Sequence, residues 1–446
     1  MQRLKNVNFP RAILFCLGII TFCCTGTIVF ADTGDGYRNA DPAALQHWQS
    51  NRFGMFIHFD PCALTGLEIS WSRAGRRPDR NEDITNGTPA AEYDELYRQF
   101  NPSNFDADAW VNIAKDAGMK YIVFTAKHHD GFAMFDSKLT DYKISNTPFK
   151  RDICAELARA CHHAGVGLGF YYSPPDWHHP DFFTANQARY NAYFHGQVRE
   201  LLSNYGRVDI LWFDREGGIN TPQTWDNESL FPMIRALQPQ ILITRRCGGW
   251  GDFNTPEQRI GTYDEKSPWE TCMTLGDQWS WKPNDNIKTA SDVIHILATC
   301  AGGDGNLLLD VGPMPDGRIE PRQVAVLKQV GDWLNQNGES IYGTRGGPWK
   351  PGKGLASTRK GNNIYVHILN QSPATIELPA IPRQIVSASL LNGGNVGFEN
   401  RGKTLVLTIP QAKLSADDTV VKLTLDAPAM DLPAIDVPEH FKTTSE

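Results

Sequence analysis

Short apolar runs alternate with helix-like segments between residues 52 and 338, and this alternation constrains the fold more than any other feature of the sequence. Apolar runs bounded by turn residues are typical of strands buried in a parallel sheet. The convincing runs are residues 52–60, 121–126, 166–173, 208–214, 241–246, 269–274 and 306–312. Strands that alternate with helices in this way predict a (β/α)8 barrel. Because no eighth run is evident, we expect either one irregular strand or a distorted barrel.

Capping residues mark the helices between these runs. Asp152 precedes a segment of helical spacing that Gly165 ends, as an N-cap carboxylate and a left-handed glycine do. Ser291 is expected to cap a helix that runs to residue 301. The last helix of this region has Pro321 in its first turn and Gly338 at its end.

The pattern changes after residue 343. Glycine and proline cluster at residues 346–352, and turn residues then separate short alternating runs at 363–368, 374–378, 385–390, 404–409 and 420–425. This spacing predicts a small β-sandwich. We therefore expect a (β/α)8-like barrel at residues 32–345, a β-sandwich at 346–430 and an extended tail at 431–446.

The N-terminus has the features of a secretory signal at residues 1–31. Arg3, Lys5 and Arg11 accompany an apolar run over residues 12–30, and Ala31 offers a cleavage site. An uncleaved membrane anchor is the alternative, because the run is long for a signal core. Cleavage predicts export to a periplasmic, extracellular or lysosome-like compartment, with no stable membrane insertion.

The charge balance and the cysteines limit the classes of partner. The formal net charge is −7, and removal of the three positive charges in residues 1–31 makes it −10. Such an acidic protein is not expected to bind nucleic acid. The cysteines after residue 31 are Cys62, Cys154, Cys161, Cys247, Cys272 and Cys300. An exported protein could pair some of them as disulfides, although Cys154 and Cys161, about 10.5 Å apart along one helix, are too distant to bridge each other.

Polar side chains stand at the carboxyl ends of five of the predicted strands. They are His58, His128, Tyr171, Asp214 and Arg246. In a barrel these strand ends meet at one face, which predicts a shared pocket. Asp214 also points to the same side as Trp212, because side chains alternate along a strand. A carboxylate beside an indole is suited to be a nucleophile next to a sugar-stacking surface, and a helix cap or ion-pair partner is the alternative.

A zinc site is a second interpretation of the histidines. His58, His128 and Asp130 could ligate zinc. However, the first strand lacks the His-x-His pair of metal-dependent amidohydrolase barrels, and adjacent His128 and His129 would point in opposite directions in an extended chain. We therefore expect no metal and no cofactor, and neutral histidines that donate hydrogen bonds to substrate hydroxyls.

Longer motifs carry a resemblance to a known family. They are FGMFIH at 53–58, KHHDGF at 127–132, LWFD at 211–214, WETCMT at 269–274 and GNLLL at 305–309. In this order they resemble the motifs of glycoside hydrolase family 29, the α-L-fucosidases. The resemblance extends from about residue 42 to 345, and the β-rich C-terminal part also suits that family.

The resemblance implies a retaining, exo-acting and metal-free α-L-fucosidase that removes terminal fucose from oligosaccharides or glycoconjugates. By its place in the motif, Asp214 would be the nucleophile that forms a covalent fucosyl-enzyme. The residues that would hold the fucose ring and hydroxyls are His58, Glu68, Trp71, His128, His129, Tyr171, Trp212 and Arg246. One departure is that Arg215-Glu216 follows Asp214, where the family often has glycine.

The general acid/base is the least constrained assignment. Glu257 follows the Arg246 strand in a loop that could reach over the pocket, and we predict that it is the acid/base. Glu270, in the WETCMT motif, is the runner-up, although it could equally be a structural partner within a strand. Retention requires the second carboxyl to lie roughly 5–5.5 Å from the nucleophile.

Two other functions fit parts of the same pattern. A non-catalytic barrel could bind fucose without cleaving it, although Asp214 and both candidate acids are intact. Alternatively, the substrate could be a relative such as a sulfated fucan, with sulfate bound by the basic run Arg73, Arg76, Arg77 and Arg80. A solvated loop is the simpler interpretation of that run. Linkage preference and oligomeric state depend on loops that these motifs do not define.

Overall fold

A computed structural model of the chain describes residues 36–215, 220–352, 354–369 and 374–438. The expected signal segment, residues 1–31, lies outside this range. Tyr37–Glu446 form one compact unit. Within the described ranges, no helix combines the length and the apolar character that crossing a bilayer requires.

Helices and strands alternate through the first three quarters of the chain, and strands dominate the rest. The helices are α1 Pro42–Asn51, α2 Ala90–Tyr93, α3 Ala107–Asp116, α4 Ile153–Ala164, α5 Gln187–Asn204, α6 Asn227–Leu237, α7 Ala290–Gly302 and α8 Pro321–Asn337. The strands of the first part are β1 Phe53–Ile57, β2 Gly75–Arg77, β3 Glu82–Ile84, β4 Tyr121–Lys127, β5 Gly167–Tyr172, β6 Ile210–Phe213, β7 Leu242–Ile243, β8 Glu270–Thr274 and β9 Asn306–Val311. Those of the second part are β10 Arg345–Gly346, β11 Leu355–Lys360, β12 Asn363–Ile368, β13 Thr375–Pro379, β14 Ile385–Leu390, β15 Gly397–Arg401, β16 Thr404–Thr408 and β17 Thr419–Leu425.

A curled parallel sheet forms the wall of the barrel. Its order is β7-β6-β5-β4-β1-β9-β8, and each neighbouring pair is parallel. Each of the seven apolar runs contributes one of these strands, so the prediction of a (β/α)8-type barrel is confirmed. Every residue of β1, β4, β6, β8 and β9 is buried, as expected for strands covered on both faces.

An irregular segment occupies the place of the missing eighth strand, between the edge strands β7 and β8. Thr244, directly after β7, forms a parallel bridge with Phe253, and Glu257 forms one with Cys272 of β8. Pro256 has no N–H to donate within this segment, which therefore lacks a regular ladder. The sequence did not reveal it because its residues show neither an apolar run nor a clean alternation.

The helix boundaries follow the capping residues, with one correction. The side chain of Asp152 caps α4, and Gly165 ends that helix at a φ of 68°, as predicted. Helix α7, in contrast, is capped by Thr289 and not by Ser291. Thr289 accepts a hydrogen bond from the backbone N–H of Asp292, whose carboxylate accepts one from the N–H of Thr289. This reciprocal capping box places the N-cap at Thr289, two residues before Ser291.

The C-terminal part consists of two antiparallel sheets. The larger has the order β10-β11-β12-β17-β14 and the smaller the order β13-β16-β15. The five predicted runs are β12, β13, β14, β16 and β17, and the β-sandwich prediction is confirmed. Strands β11 and β15 were not predicted; β15 is exposed along its whole length and has no apolar pattern to reveal it. This part has its own apolar core, which includes Trp349, Val366 and Leu405.

A buried charge cluster joins the barrel to the sandwich at the expected domain boundary. Asp304 accepts hydrogen bonds from the guanidinium of Arg52 at 2.6 Å, from Nε of Arg345 at 2.8 Å and from the N–H of Gly346 at 3.0 Å. Burial works to raise the pKa of Asp304, but the two arginines lower it, so the carboxylate is charged. Removal of one partner would strand an uncompensated charge in the interior.

The cysteines correct the expectation that some could form disulfides. All six that follow residue 31 lie in the described part of the chain, and all are buried and unpaired. Burial raises the pKa of the Cys62, Cys161 and Cys300 thiols to about 12. Protonated thiols are poor nucleophiles, so these residues act as small apolar groups of the core.

Candidate active site

A cavity of about 360 Å³ lies at the carboxyl ends of the barrel strands. This volume is near the lower end of the range for small-molecule sites, about 300–1,000 Å³. Its lining comprises Phe56, His58, Trp71, Asp79, Arg80, His128, His129, Tyr171, Pro175, Trp177, Trp212, Asp214, Arg215, Arg246, Glu257, Cys272 and Trp279. The structure thus brings together all the predicted site residues except Glu68 and Glu270. Their chemical roles stay predictions.

Asp214 follows the last residue of β6 and is the most strongly held carboxylate of the cavity. Its Oδ2 accepts a hydrogen bond from the Tyr171 hydroxyl at 2.7 Å, and its Oδ1 accepts one from Nη1 of Arg246 at 2.7 Å. Burial works to raise the pKa of Asp214, but the positive charge of Arg246 and the two hydrogen bonds outweigh it and lower the pKa. The group is therefore an ionised nucleophile candidate at neutral pH.

Arg246 joins Asp214 to the second carboxylate of the cavity. The same Nη1 atom also donates to Oε2 of Glu257 at 2.8 Å. The two carboxylate oxygens therefore lie no more than about 5.5 Å apart, the sum of the two distances. This upper limit lies below the separation of roughly 6.5–9.5 Å in inverting glycosidases, so the retaining class is the better match. Glu257 has a side chain that is 38% exposed, so a leaving group and water can reach it.

Glu270 lies outside the cavity, behind its wall. Its Oε1 accepts a hydrogen bond from Nε1 of Trp212 at 3.2 Å, and its Oε2 accepts one from the Tyr121 hydroxyl. The residue is fully buried, and burial raises its pKa to about 7, although these hydrogen bonds act in the opposite direction. A raised pKa suits an acid, but Glu270 is not among the residues that line the cavity, whereas its partner Trp212 is. The position suits a residue that holds Trp212.

The raised pKa of Glu270 predicts a pH-dependent stability. The carboxyl titrates near 4.5 in the unfolded chain and near 7 in the folded protein. Its contribution is present below pH 4.5 and is lost as the pH rises through 7, at a cost of about 3 kcal/mol. Glu270→Gln, which resembles the protonated acid, should therefore gain stability relative to the wild type between pH 5 and 8. Urea unfolding at both pH values tests this; a difference that does not change with pH would contradict it.

Three histidines line the cavity, and each has its Nδ1 atom fixed by a buried partner. Nδ1 of His58 lies 2.6 Å from Oδ1 of Asp310, Nδ1 of His128 lies 2.6 Å from Oγ of Ser70, and Nδ1 of His129 lies 2.5 Å from Oγ of Ser173. Ser70 donates its own hydrogen to Asp130, and Ser173 donates to the carbonyl of Pro175. Both serine oxygens must therefore accept from the histidines.

These contacts bear on the histidines in two ways. Burial, with nearby positive charge, lowers the pKa of His128 and of His129, so both rings are neutral. With the hydrogen on Nδ1, the Nε2 atom of each ring is an acceptor, and the expected role of both residues in substrate binding stays a prediction. His128 and His129 also both line the cavity, with ring centroids 4.3 Å apart, because β4 ends at Lys127 and the chain turns there.

The same cluster is the part of the described chain that could hold a metal. Ligand atoms of His128, His129 and Asp214 lie within 4.8 Å of one another. The alternative zinc set of His58, His128 and Asp130 is not formed, because Asp130 accepts hydrogen bonds from the Ser70 and Tyr93 hydroxyls. Arg246 beside Asp214 places a permanent positive charge where a cation would bind. The charge arrangement therefore suits a polar substrate better than a metal ion.

Asp310 is a functional candidate that the sequence analysis missed. It directly follows the GNLLL motif in β9, is 1% exposed, and reaches the cavity through His58. Burial raises its pKa to about 6, against the opposing effect of His58. We predict that Asp310→Asn lowers kcat/KM by about tenfold or more, because a charge-assisted hydrogen bond that orients His58 is lost. Steady-state kinetics of the folded variant test this, and an unchanged kcat/KM would contradict it.

Glu68 is separated from the cavity but supports one of its walls. Its carboxylate accepts hydrogen bonds from the backbone N–H groups of Ile69, Trp279 and Ser280 at 3.0–3.2 Å. Trp279 lines the cavity, and its ring centroid is 4.9 Å from that of His58. Glu68 thus fixes the loop after β8, and the direct contact with substrate that the resemblance implies stays a prediction.

Arg80 of the basic run lines the cavity and Arg77 packs against its aromatic wall, against the simpler interpretation of a solvated loop. Arg77 is buried, with its guanidinium 4.9 Å from the Trp71 centroid and 4.6 Å from that of Trp177. Asp79, which lines the cavity, forms a buried ion pair with Arg215 at 3.2 Å. These contacts join loops that are distant in sequence. In the sequence, the signal for these contacts was the clustering of arginines near tryptophans.

The fold and the site together define a class. Two carboxylates with oxygens no more than about 5.5 Å apart, in a polar pocket with aromatic walls at the carboxyl end of a parallel barrel, match the arrangement of retaining glycoside hydrolases. A sequence model of the family described as alpha-L-fucosidase matches residues 35–339. The chain belongs to the α-L-fucosidase family.

Solved structures and curated relatives agree with this membership. The alpha-L-fucosidase isoenzyme 1 from Paenibacillus thiaminolyticus is 38% identical, with a TM-score of 0.78 over 86% of this chain and 99% of that one. A Bacteroides thetaiotaomicron family 29 enzyme, trapped as a covalent intermediate with 2-fluoro-fucosyl fluoride, is 26% identical, with a TM-score of 0.77 over 87% of this chain and 97% of that one.

Among curated proteins, alpha-L-fucosidase 1 of Arabidopsis thaliana is 29% identical over 66% of this chain. The match covers 60% of that protein and 57% of a related rice protein, so the chain spans less than two thirds of their lengths.

Proposed function

We propose that this protein is an exo-acting, retaining α-L-fucosidase that hydrolyses terminal α-L-fucosyl linkages in glycans. The observation that carries the proposal is the single guanidinium nitrogen of Arg246 bound to both Asp214 and Glu257. It keeps the two carboxylates closer together than inverting glycosidases do, which supports a double displacement. The covalent intermediate trapped in the Bacteroides thetaiotaomicron relative supports the same chemistry.

In the first step, the carboxylate of Asp214 attacks the anomeric carbon of the fucosyl unit. Glu257, as the acid, donates its proton to the glycosidic oxygen as the bond between that oxygen and the anomeric carbon breaks. The alcohol leaves and a β-fucosyl ester remains on Asp214. Tyr171 and Arg246 hold the two oxygens of Asp214, so the attacking carboxylate is already oriented before the substrate arrives.

In the second step, Glu257 acts as the general base and Asp214 is the leaving group. Glu257, now a carboxylate, takes a proton from a water molecule, and the resulting hydroxide attacks the anomeric carbon. The ester bond breaks, Asp214 regains its charge, and α-L-fucose is released. Arg246 stabilises the negative charge that each carboxylate carries in turn.

The shape and chemistry of the cavity suit one terminal sugar. Neutral His128 and His129 offer acceptors to hydroxyl hydrogens, whereas Trp71, Trp177 and Trp279 provide apolar ring faces. Fucose combines hydroxyls with an apolar methyl group, so both kinds of surface are used. The small volume of the cavity, about 360 Å³, favours release of an end residue over cleavage within a chain.

Hydrolysis of 4-nitrophenyl α-L-fucoside tests the proposal. We expect proton NMR to show the α-anomer of fucose first, and EDTA to leave the rate unchanged. Initial release of the β-anomer would contradict retention, and a loss of rate with EDTA would favour the metal interpretation. Binding of fucose without any release would support the alternative of a non-catalytic carbohydrate-binding barrel.

Export and domain organisation complete the proposal. Residues 1–31 act as a cleaved signal, followed by a barrel to residue 345, a sandwich to residue 430 and a tail. One relative is named plasma alpha-L-fucosidase, which supports export. Expression of the full chain in a cell with a secretory pathway, followed by N-terminal sequencing of the protein outside the cytoplasm, tests the cleavage. A mature N-terminus at Met1 would contradict it.

A further inference from the structure

Arg80 lies at the mouth of the cavity and has no role in the fucosidase mechanism described above. Its guanidinium carbon is 4.7 Å from the centroid of the Trp71 ring, and the exposed side chain contributes to the cavity lining. Among the residues that the structure describes, none offers a carboxylate within 4.0 Å of this guanidinium. A positive charge is therefore held against an aromatic wall beside the substrate.

The position of Arg80 is fixed by the hairpin of β2 and β3. Arg77 pairs with Glu82 across this hairpin, and the N–H of Arg80 donates to the carbonyl of Arg77 at 3.1 Å. Arg77 is packed between Trp71 and Trp177 and donates to the carbonyl of Trp71 at 2.8 Å. The turn that carries Arg80 is thus tied to the aromatic wall, so the arginine is preorganised.

Arg80 differs from its charged neighbours in its ion pairing. Asp79 pairs with Arg215 at 3.2 Å, and Glu82 lies 3.7 Å from Arg77. Arg80 lines the cavity without a carboxylate at such a distance among the described residues. Its charge acts on the neighbouring His129 ring and, after burial and Lys127, lowers the pKa of that ring. The positive charge of Arg80 is therefore felt inside the cavity.

We propose that Arg80 binds a sulfate ester on the substrate, carried either by the fucosyl unit or by the sugar next to it, and that the enzyme prefers sulfated fucosyl glycans. This inference rests on the proposed function. A guanidinium offers paired N–H donors that match the oxygens of a sulfate, and such charge-assisted hydrogen bonds are about twice as strong as neutral ones. A neutral sugar has no anionic group that could pair with this guanidinium.

Arg76 provides a matched control in the same hairpin. It carries the same charge in β2, is exposed, and is not part of the cavity lining. Its described side-chain contact is with Oδ1 of Asn81 at 3.5 Å. Arg76→Gln therefore removes one positive charge from the hairpin without a change at the cavity mouth.

The test compares kcat/KM for two pairs of substrates. The first pair is 4-nitrophenyl α-L-fucoside with and without a sulfate on the fucose ring, and the second is a fucosyl-galactose disaccharide with and without a sulfate on galactose. For at least one pair, we expect the wild type to prefer the sulfated member, and Arg80→Gln to lower the ratio of sulfated to neutral kcat/KM by about tenfold. Arg76→Gln should keep both the ratio and the neutral rate, and Arg80→Lys should restore part of the ratio. The pair that responds identifies the sugar that carries the sulfate.

Other results would overturn the inference. Ratios that are equal in the wild type and Arg80→Gln for both pairs, or an equal fall in Arg76→Gln, would show that Arg80 does not read sulfate. A wild type that hydrolyses the neutral substrates but rejects both sulfated ones would overturn the sulfate preference alone. A wild type that releases no fucose from any of the four substrates would contradict the proposed function, and the inference with it.

Discussion

Asp214→Gly is expected to lower turnover of 4-nitrophenyl α-L-fucoside by at least about a thousandfold, because no other group can form the fucosyl ester. The substitution removes the one carboxylate that lies between Tyr171 and Arg246. Arg246 keeps its contacts with Glu257 and with Thr255, so the wall of the cavity should persist. Circular dichroism and calorimetric binding of fucose will show whether fold and binding are retained.

Azide distinguishes loss of the nucleophile from general damage to the site. In the glycine variant, azide can enter the space left by the carboxylate and attack the anomeric carbon from the same side. One displacement then gives the β-fucosyl azide, which proton NMR identifies. Asp209→Asn, just before β6 at its other end, is the matched control and should keep nearly normal turnover. Wild-type turnover in a folded Asp214→Gly protein would rule out the nucleophilic role.

Substitution of Glu257 should have the second-largest effect, and it should depend on the leaving group. Loss of a general acid lowers the rate by about a hundredfold to ten thousandfold for substrates whose leaving oxygen needs a proton. 4-Nitrophenyl fucoside needs less assistance, so its rate should fall less than that of a fucosyl disaccharide. In Glu257→Ala, azide should restore the second step, with a product of retained α configuration.

The comparison with Glu270 decides between the two candidate acids. Glu270→Gln is preferred to an alanine substitution, because the amide can still accept one of the hydrogen bonds from Trp212 and Tyr121. We expect this variant to lose little of the leaving-group dependence and to show no rescue by azide. If Glu270→Gln, and not Glu257→Gln, removes activity on poor leaving groups, the acid has been assigned to the wrong residue.

Local signals made the barrel and the position of the nucleophile predictable. An apolar run such as residues 208–214 is long enough to mark a buried strand by itself, and the end of a strand in a barrel is also the end that faces the site. Capping works over three or four residues, which is why Asp152 and Gly165 could be placed from the sequence. The family motifs added the chemical identity of Asp214, because they extend over several residues in order.

Contacts between distant segments decided the rest. The irregular segment 253–257 fills the place of a strand only because two edge strands lie on either side of it, and its own residues carry no strand pattern. The protonation of His128 follows from Ser70, which is far from it in the chain and accepts from Nδ1 because it donates to Asp130. Likewise, Glu257 and Glu270 are the same residue type, so the sequence alone does not distinguish them. Only the structure shows that Glu270 is buried behind Trp212.

The sequence by itself therefore determined the order of strands and helices, the position of Asp214 at a strand end and the family to which the chain belongs. Only the tertiary structure decided that Arg246 connects Asp214 to Glu257, that Glu68 and Glu270 support walls of the cavity, and that Arg80 lies over Trp71 at its mouth. The physical reason is the distance along the chain over which each interaction acts. Apolar periodicity and capping act between near neighbours in the chain, whereas hydrogen-bond direction, burial and charge pairing depend on groups that the fold brings together from separate loops.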